Sequence, residues 1–359
     1  MSKSATLDSP LVSIVLPVKN GTDYIAKALD SILAQTYPHF ELIVIDDGSD
    51  DHTAQIVSSY ADPRITLICQ ENQGVSKATN RGFDLAKGKY ITRHDHDDLS
   101  MPTRLEKQVR FMESNPECGF VGTWAHIWAG DEPSERVHRH PTTSGQIAFA
   151  LLFNSPFVHS SCLYRKEVYE HTGGYTSDND RVPPEDYEYF SRISRKYAMA
   201  NIPEALVVYR EVPNSMSSML RSNHMAAKAK FIFNLARISS ENLAFINSMN
   251  TASTDTQNFG RLIHHGLEPN QSINLEAIKK LIRQAANDLA IRFQEDSLEV
   301  SLTEKLAWLD YEYHTYMGNT YHWTRLKHLL FNRPVHENLG SLQRLFKRLV
   351  KRDTPFAKS

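Results

Sequence analysis

Cysteine is scarce in this chain of 359 residues, and its three cysteines form no recognisable motif. Cys69, Cys118 and Cys162 lie far apart, without CxxC or Cys/His metal spacing, so we expect reduced thiols and no disulfide framework. No run of about 18 apolar residues occurs, so no membrane-spanning helix is predicted. Residues 1–10 are polar and lack a signal-peptide pattern. We therefore expect a flexible amino terminus and a cytoplasmic protein.

The fingerprints of several enzyme classes are also missing. The segment after the first predicted strand, Pro17–Gly21, contains neither GxGxxG nor GxxxxGK[ST], which argues against a Rossmann dehydrogenase and a P-loop NTPase. No GxSxG elbow occurs, which argues against an α/β-hydrolase. Lysine and arginine number 40 against 42 acidic residues, a net charge of −2. Because no bulk positive field results, we expect no nucleic-acid partner.

What the chain does contain, from Leu11 to Val121, is an alternation of strand-length apolar runs with segments of helical period. This alternation predicts an α/β fold with an open, mainly parallel sheet flanked by helices. The predicted strands are Val12–Pro17, Glu41–Asp46, Ile65–Cys69, Lys89–Arg93 and Gly119–Thr123. Ligands of such sheets bind at the carboxyl ends of the strands. The residues that follow each strand are therefore the candidates for function.

The second half of the chain predicts an extension of this domain and then a helical region. A helix over Pro184–Tyr197 and a strand over Ala205–Arg210 are expected to belong to the α/β domain. Beyond it the pattern becomes helical, as in Leu275–Phe293, whose apolar residues share one face. We therefore divide the chain into residues 1–10, an α/β domain at 11–218, and a carboxyl-terminal helical region at 219–359.

Three acidic segments could carry chemistry. His94–Asp98 follows a predicted strand and contains three carboxylates, which suit Mg²⁺ or Mn²⁺ together with substrate phosphates; the alternative is a solvated turn that caps the next helix. Glu185-Asp186 begins a predicted helix and could be a helix cap or a general base. After the second strand, Asp46 or Asp47 could accept a hydrogen bond from a base or ribose, whereas turn chemistry alone explains Gly48–Asp50.

Taken in order, these segments resemble the family 2 glycosyltransferases with the GT-A fold. The matching segments are Val12–Asn20, Ser31–Tyr37, Phe40–Ser49, Asn72–Gly74, Ala78–Gly82, Gly88–Ile91, Asp95–Asp98, Gly173–Tyr175 and Glu185–Glu188. The resemblance covers about residues 11–215, and the order and spacing of these segments are specific. The resemblance implies a GT-A nucleotide-diphospho-sugar transferase fold. It also implies inverting transfer of a sugar, expected to be UDP-linked, to a hydroxyl of a glycan or lipid-linked glycan in bacterial surface polysaccharide synthesis.

The resemblance also implies a role for each matching position. The nucleotide would contact Pro17, Val18, Lys19, Asn20, Asp46, Asp47, Gly74, Lys77 and Asp95. Asp97, assisted by Asp95, would hold Mn²⁺ or Mg²⁺ against the diphosphate, with Asp98 in reserve. Asp186, with Glu185 beside it, would be the general base that deprotonates the acceptor hydroxyl.

The chain also departs from the family pattern. Val212 stands where many members have a histidine that contacts the diphosphate or metal, so His96 or a residue of the helical region would have to replace that contact. The family usually has an arginine at the position of Thr79, and the processive QxxRW signature is absent. Two alternatives therefore stay open, a non-catalytic nucleotide-sugar-binding protein and a sugar-phosphate nucleotidyltransferase, although Pro17–Gly21 lacks the glycine-rich loop that the latter requires.

The carboxyl-terminal tail, residues 342–352, combines a row of apolar residues with five arginines and lysines. A basic amphipathic helix of this kind is suited to an anionic membrane surface, and peripheral contact with the inner face of the membrane is one interpretation. The other interpretation, equally compatible with the pattern, is a helix that packs on the domain with its charges in solvent.

Overall fold

The computed structural model describes residues 9–212, 225–268, 271–296 and 298–317. Within these residues, nine strands form a single sheet in the order β3-β2-β1-β4-β8-β6-β9-β5, and β7 pairs with β6. The strands are β1 (Val12–Val18), β2 (Phe40–Asp46), β3 (Ile65–Cys69), β4 (Tyr90–Arg93), β5 (Leu99–Ser100), β6 (Cys118–Ala129), β7 (Val137–His138), β8 (Leu163–Arg165) and β9 (Ala198–Glu211).

Helices cover both faces of this sheet and form the region that follows it. In the α/β part they are α1 (Ile25–Leu33), α2 (Thr53–Ser58), α3 (Val75–Leu85), α4 (Arg104–Ser114), α5 (Ser144–Ala150), α6 (Lys166–Thr172) and α7 (Glu185–Ser194). The later helices are α8 (Met225–Ile246), α9 (Thr254–Ile263), α10 (Leu275–Phe293) and α11 (Leu298–Tyr316). One 3₁₀ turn, His159–Ser161, precedes β8.

The parallel centre of the sheet consists of β3, β2, β1 and β4. Every residue of β1 is buried, because its alternate side chains enter two different cores. Ile14 and Leu16 pack in one core, and Val15 packs in the other. Such continuous burial is characteristic of parallel strands covered by helices on both faces. The expected α/β architecture is confirmed, and the ends of β1, β2 and β4 meet at one edge.

The other half of the sheet, which mixes antiparallel pairs with the parallel pair of β6 and β9, is longer than the sequence predicts. β6 continues to Ala129 and β9 begins at Ala198, so each extends well beyond its predicted range. Their parallel pairing is irregular at three points, including both sides of Trp124. Such bulges shift the alternation of inward and outward side chains, so periodicity in the sequence stops indicating a strand there.

The later helices share a third core with the α/β part, in which Phe149 and Phe153 pack with residues such as Phe259 and Ile282. The predicted boundary between 218 and 219 and the segment 342–352 lie outside the described residues, as does most of the segment 1–10. Among the helices of the described ranges, none has both the length and the apolar character needed to cross a membrane.

Candidate active site

The loops after β1 and β2 are tied to each other by hydrogen bonds. The backbone N–H of Asp47 donates to the carbonyl of Val18 (2.8 Å), and the N–H of Asn20 donates to Ser49 Oγ (2.9 Å). Asn20 adopts a left-handed conformation (φ 55°), and its Oδ1 accepts from the N–H of Asp50 (3.0 Å). The structure therefore brings the two predicted nucleotide-binding segments together, with Lys19 and Asn20 exposed at the mouth and Pro17 and Val18 buried beneath.

Asp47 organises the third loop of this edge. Its Oδ1 accepts hydrogen bonds from Gln70 Nε2 (2.7 Å) and the N–H of Gln73 (2.8 Å), and its Oδ2 accepts from the N–H of Gly74 (2.8 Å). Because a carboxylate has about four acceptor positions, one position remains for a ligand. Asp46 is buried, and its Oδ1 accepts from the N–H of Ser49 (2.8 Å), so it shapes the turn.

Helix α3 begins directly after Gly74, whose φ of 90° suits glycine, and the helix lies close to the sheet. A methyl group on Gly82 would come within 2.2 Å of Val15 Cγ1, so only glycine fits this approach. Asn80 of α3 binds the segment Gly173–Tyr175, which is distant in the chain. Its side chain donates to the carbonyl of Tyr175 (2.7 Å) and accepts from the N–H of Tyr175 (2.9 Å). Lys77 is exposed on the first turn of the helix.

Asp95 is neutralised by an arginine that precedes the acidic segment. Arg93, the last residue of β4, is buried, and its guanidinium lies 2.5 Å from Asp95 Oδ1. Burial by itself would raise the pKa of Asp95, but the charge of Arg93 holds that pKa well below its usual range. Asp95 is therefore an ionised group fixed in one orientation.

The carboxylates of Asp97 and Asp98 differ sharply in their surroundings. Both oxygens of Asp98 are satisfied inside the protein, by the N–H of Arg210 (3.0 Å) and Ser160 Oγ (2.5 Å), and Asp98 is 2% exposed. Asp97 is partly exposed, and no side-chain hydrogen bond or ion pair of its carboxylate occurs within the described part of the chain. Burial, followed by the negative charge of Asp95, raises the pKa of Asp97.

This donor set fits a divalent cation that substrate completes. The described residues contain no cluster of three or more histidine, cysteine or carboxylate side chains that could enclose a metal ion. Mg²⁺ and Mn²⁺, however, commonly use one or two carboxylates plus substrate phosphates. Asp97 supplies an open carboxylate and Asp95 a fixed one two residues away, whereas Asp98 is buried with one donor on each oxygen and is the least accessible of the three.

The second acidic segment, Glu185-Asp186, lies beside the first in the fold, although the two are far apart in the chain. Glu185 is buried at the start of α7, and its Oε1 lies 3.8 Å from Nη1 of Arg93. Asp186 follows in the first turn of α7, where its Oδ1 accepts from the N–H of Tyr187 (2.7 Å). Burial, with the adjacent charge of Glu185, raises the pKa of Asp186 to about 6. Arg93 therefore joins the predicted metal-binding and catalytic segments.

Sequence reasoning missed Arg93 and its neighbour His159, and it gave no role to Tyr175, which lies in the matching segment Gly173–Tyr175. Nε2 of His159 lies 3.2 Å from Nη1 of Arg93 and 2.7 Å from Oη of Tyr175. Because a guanidinium only donates, Nε2 accepts, so the proton of this neutral imidazole is on Nδ1. Burial and the charge of Arg93 lower the pKa of His159 to about 3. A charged residue at the end of an apolar strand, directly before the acidic segment, was the available signal for Arg93.

Val212 and His96, which is one candidate to replace the contact missing at Val212, occupy different environments. Val212 is buried directly after β9. His96 packs against the loop after β1, since a methyl group on Gly21 would lie 2.8 Å from His96 Cδ2 and 2.6 Å from Val18 Cγ2. The structure therefore places one histidine of the acidic segment beside the predicted nucleotide pocket.

The fold is similar to that of a protein solved with a bound nucleotide sugar. S. aureus TarS 1–349, in complex with UDP-GlcNAc, superposes with a TM-score of 0.54 at 17% sequence identity, covering 86% of this chain and 88% of that chain. At this identity the comparison establishes the fold alone. The sheet, its flanking helices and the helical region after it define a protein with the GT-A glycosyltransferase fold.

Sequence comparison identifies the family. The model of glycosyl transferase family 2 matches residues 13–173. An uncharacterized glycosyltransferase of Haemophilus influenzae is 34% identical over 235 residues, which are 62% of this chain and 72% of that protein. A Bacillus subtilis protein named as a teichuronic acid biosynthesis glycosyltransferase, TuaG, is 32% identical over 58% of this chain and 82% of its own length. The chain belongs to glycosyl transferase family 2 and is a glycosyltransferase.

Proposed function

We propose that this enzyme is a metal-dependent, inverting glycosyltransferase that moves a sugar from a nucleotide sugar to a glycan hydroxyl. The observation that carries the proposal is the position of Arg93, which contacts Asp95 on one side and Glu185 on the other. This contact unites the segment suited to the donor diphosphate with the segment suited to deprotonating the acceptor. A site with both functions is what a single displacement at the anomeric carbon requires.

Asp186 is proposed as the general base. Its Oδ1 is held by the N–H of Tyr187, which leaves Oδ2 to accept the proton of the acceptor hydroxyl. A base works best when its pKa lies near the working pH, and a pKa of about 6 leaves Asp186 mostly ionised at pH 7. Burial, followed by the negative charge of Glu185, maintains this raised pKa. Proton removal as the hydroxyl attacks is worth about 10²–10⁴ in rate.

The opposite side of the site is proposed to hold the donor. Asp97, with Asp95 beside it, would bind Mn²⁺ or Mg²⁺, which neutralises the negative charge that develops on the leaving diphosphate. The remaining acceptor position of Asp47 is proposed for the base, with Pro17–Asn20, Gly74 and Lys77 around the nucleotide. A UDP-sugar is the proposed donor because the family resemblance implies it, and TarS was crystallised with UDP-GlcNAc.

The proposed acceptor is a glycan or lipid-linked glycan of a surface polysaccharide. TuaG, to which this chain is similar over most of TuaG's length, is named for teichuronic acid biosynthesis. Peripheral contact with the inner face of the membrane, through residues 342–352, is part of the same proposal. Binding to anionic vesicles, with and without that segment, tests it.

The direct test measures UDP release from a panel of UDP-sugars with Mn²⁺, with Mg²⁺ and with a chelator. Bacterial glycan extract serves as the acceptor. We expect one donor to give metal-dependent release that is lost in Asp97→Asn and in Asp186→Asn. Asp255→Asn is the matched control, because Asp255 also lies in the first turn of a helix, α9, away from the site.

Three results would contradict the proposal. Donor binding that requires Asp97 but never leads to turnover would instead support a non-catalytic nucleotide-sugar-binding protein. Unchanged release in chelator would exclude metal dependence, and full activity of Asp186→Asn would exclude Asp186 as the base. Each result affects a separate part of the proposed mechanism.

A further inference from the structure

The backbone just before the proposed base depends on donors from elsewhere in the chain. Glu185 and Asp186 follow Arg181-Val182-Pro183-Pro184. The two prolines have no N–H, so they cannot take part in a backbone ladder that would hold this segment in place. The carbonyl groups remain available as acceptors. Side chains that donate to them would therefore decide where the acidic residues lie.

Helix α8, the first helix of the carboxyl-terminal region, supplies these donors. Asn234 Nδ2 donates to the carbonyl of Pro183 (3.0 Å), and Arg237 Nη2 donates to the carbonyl of Arg181 (3.3 Å). Glu241, one turn further along, pairs with both arginines, at 2.8 Å from Arg237 and 3.3 Å from Arg181. The segment is therefore held between α8 on one side and Arg93 of the sheet, through Glu185, on the other.

Asn234 is an unusual residue to find at this position. It is fully buried, and its Oδ1 has no hydrogen-bond partner within the described residues. An unpaired buried polar atom is destabilising, whereas leucine has a similar size and would leave only the carbonyl of Pro183 without its donor. Asn234 therefore gives little net stabilisation, because its unpaired Oδ1 offsets its one hydrogen bond. That bond is made to Pro183, two residues before Glu185.

We propose that Asn234 is a positioning residue for the general base, and that the carboxyl-terminal helical region serves catalysis by fixing the segment before Glu185-Asp186. This inference rests on the proposed role of Asp186. The hydrogen bond from Asn234 to Pro183 sets the position of the base relative to the acceptor hydroxyl. Loss of that bond leaves donor binding intact, because the hydrogen bonds that hold the segments after β1, β2 and β4 involve no described residue of α8.

The chain contains a matched control for this proposal. Asn247, just after the end of α8, is also buried, also has an unpaired Oδ1, and donates through Nδ2 to a backbone carbonyl, that of Leu281 in α10 (3.1 Å). Asn234→Leu and Asn247→Leu therefore remove the same type of bond from the same region. Only the first bond lies next to the proposed base.

The experiment compares kcat, the KM for the UDP-sugar and the melting temperature of Asn234→Leu, Asn247→Leu and Asp186→Asn. We expect kcat of Asn234→Leu to fall at least about tenfold, because a small misplacement of a catalytic group is costly, while its KM stays near wild type. Asn247→Leu should keep wild-type kcat at a comparable melting temperature. If Asn234→Leu does not fold, Asn234→Ser replaces it, since serine adds no bulk and is too short to reach Pro183.

Equal kcat for the two asparagine variants would overturn the proposal, as would a loss in Asn234→Leu that appears only in KM. Asp186→Asn separates this failure from that of the proposed function. If Asp186→Asn is inactive and Asn234→Leu is fully active, the positioning role alone is wrong. If Asp186→Asn is also active, the assignment of the base is wrong.

Discussion

Replacing Asp186 by asparagine is expected to stabilise the protein while it abolishes sugar transfer. The pKa of Asp186 is about 6 in the folded protein, against 3.8 ordinarily, because the carboxyl is partly buried and lies beside the negative charge of Glu185. At pH 7 this difference makes ionisation cost about 3 kcal/mol more in the folded state than in the unfolded chain. Asparagine keeps an oxygen for the N–H of Tyr187 and carries no charge, so the cost disappears.

The pH dependence of this gain has a definite sign. A group whose pKa is raised by folding contributes its full stability below the unfolded value, here 3.8, and loses it as the pH rises through the folded value, about 6. The free energy of unfolding of Asp186→Asn should therefore equal that of the wild type below pH 4. Its advantage should grow between pH 4 and 6 and stay at about 3 kcal/mol or less above pH 6.

Urea unfolding of both proteins from pH 4 to pH 8 measures this difference, and UDP release on the same samples measures activity. Activity should fall by about 10²–10⁴ because asparagine accepts no proton from the hydroxyl. The control, Asp255→Asn, should lose about 0.3–1 kcal/mol at neutral pH, because it removes a favourable charge from a helix amino terminus. A stability gap for Asp186→Asn that does not change with pH would refute the electrostatic reasoning.

Three other substitutions test the site and the fold. Asp97→Asn should abolish the stimulation of UDP release by Mn²⁺ without lowering the melting temperature, since no side-chain partner of Asp97 occurs among the described residues. A normal Mn²⁺ titration would contradict its role. Arg93→Met should destabilise the protein by about 3 kcal/mol in urea unfolding and inactivate it, because Asp95 would be left as an unpaired charge. Gly82→Ala should cost about 1–3 kcal/mol through its clash with Val15, and unchanged stability would show that the helix can move away.

Much of the parallel half of the fold could be predicted, because its signals are local. β3 has the predicted bounds, and β1 and β2 differ from theirs by a single residue at one end. Apolar runs of strand length, separated by amphipathic helices, leave few alternatives to parallel pairing. β6 and β9 were predicted too short because their bulges and half-exposed faces interrupt the periodic pattern on which the prediction depends.

The candidate site was predictable only to the level of segments. The acidic residues around Asp97 and Asp186 stand out because each follows a strand or begins a helix. No pattern in the sequence indicates which carboxylates are already satisfied inside the protein, and Asp98, with two internal donors, differs from Asp97 only through contacts with Ser160 and Arg210. Those contacts join residues far apart in the chain, so they arise only on folding.

The sequence by itself determines the order of strands and helices and the family to which the chain belongs, because hydrophobic period and short motifs are properties of neighbouring residues. The tertiary structure decides how the charges are distributed. It places Arg93 between Asp95 and Glu185, leaves Asp97 open, and brings Asn234 against Pro183. Burial and the approach of distant charges set pKa values and orientation, and both depend on packing between segments that the sequence keeps apart.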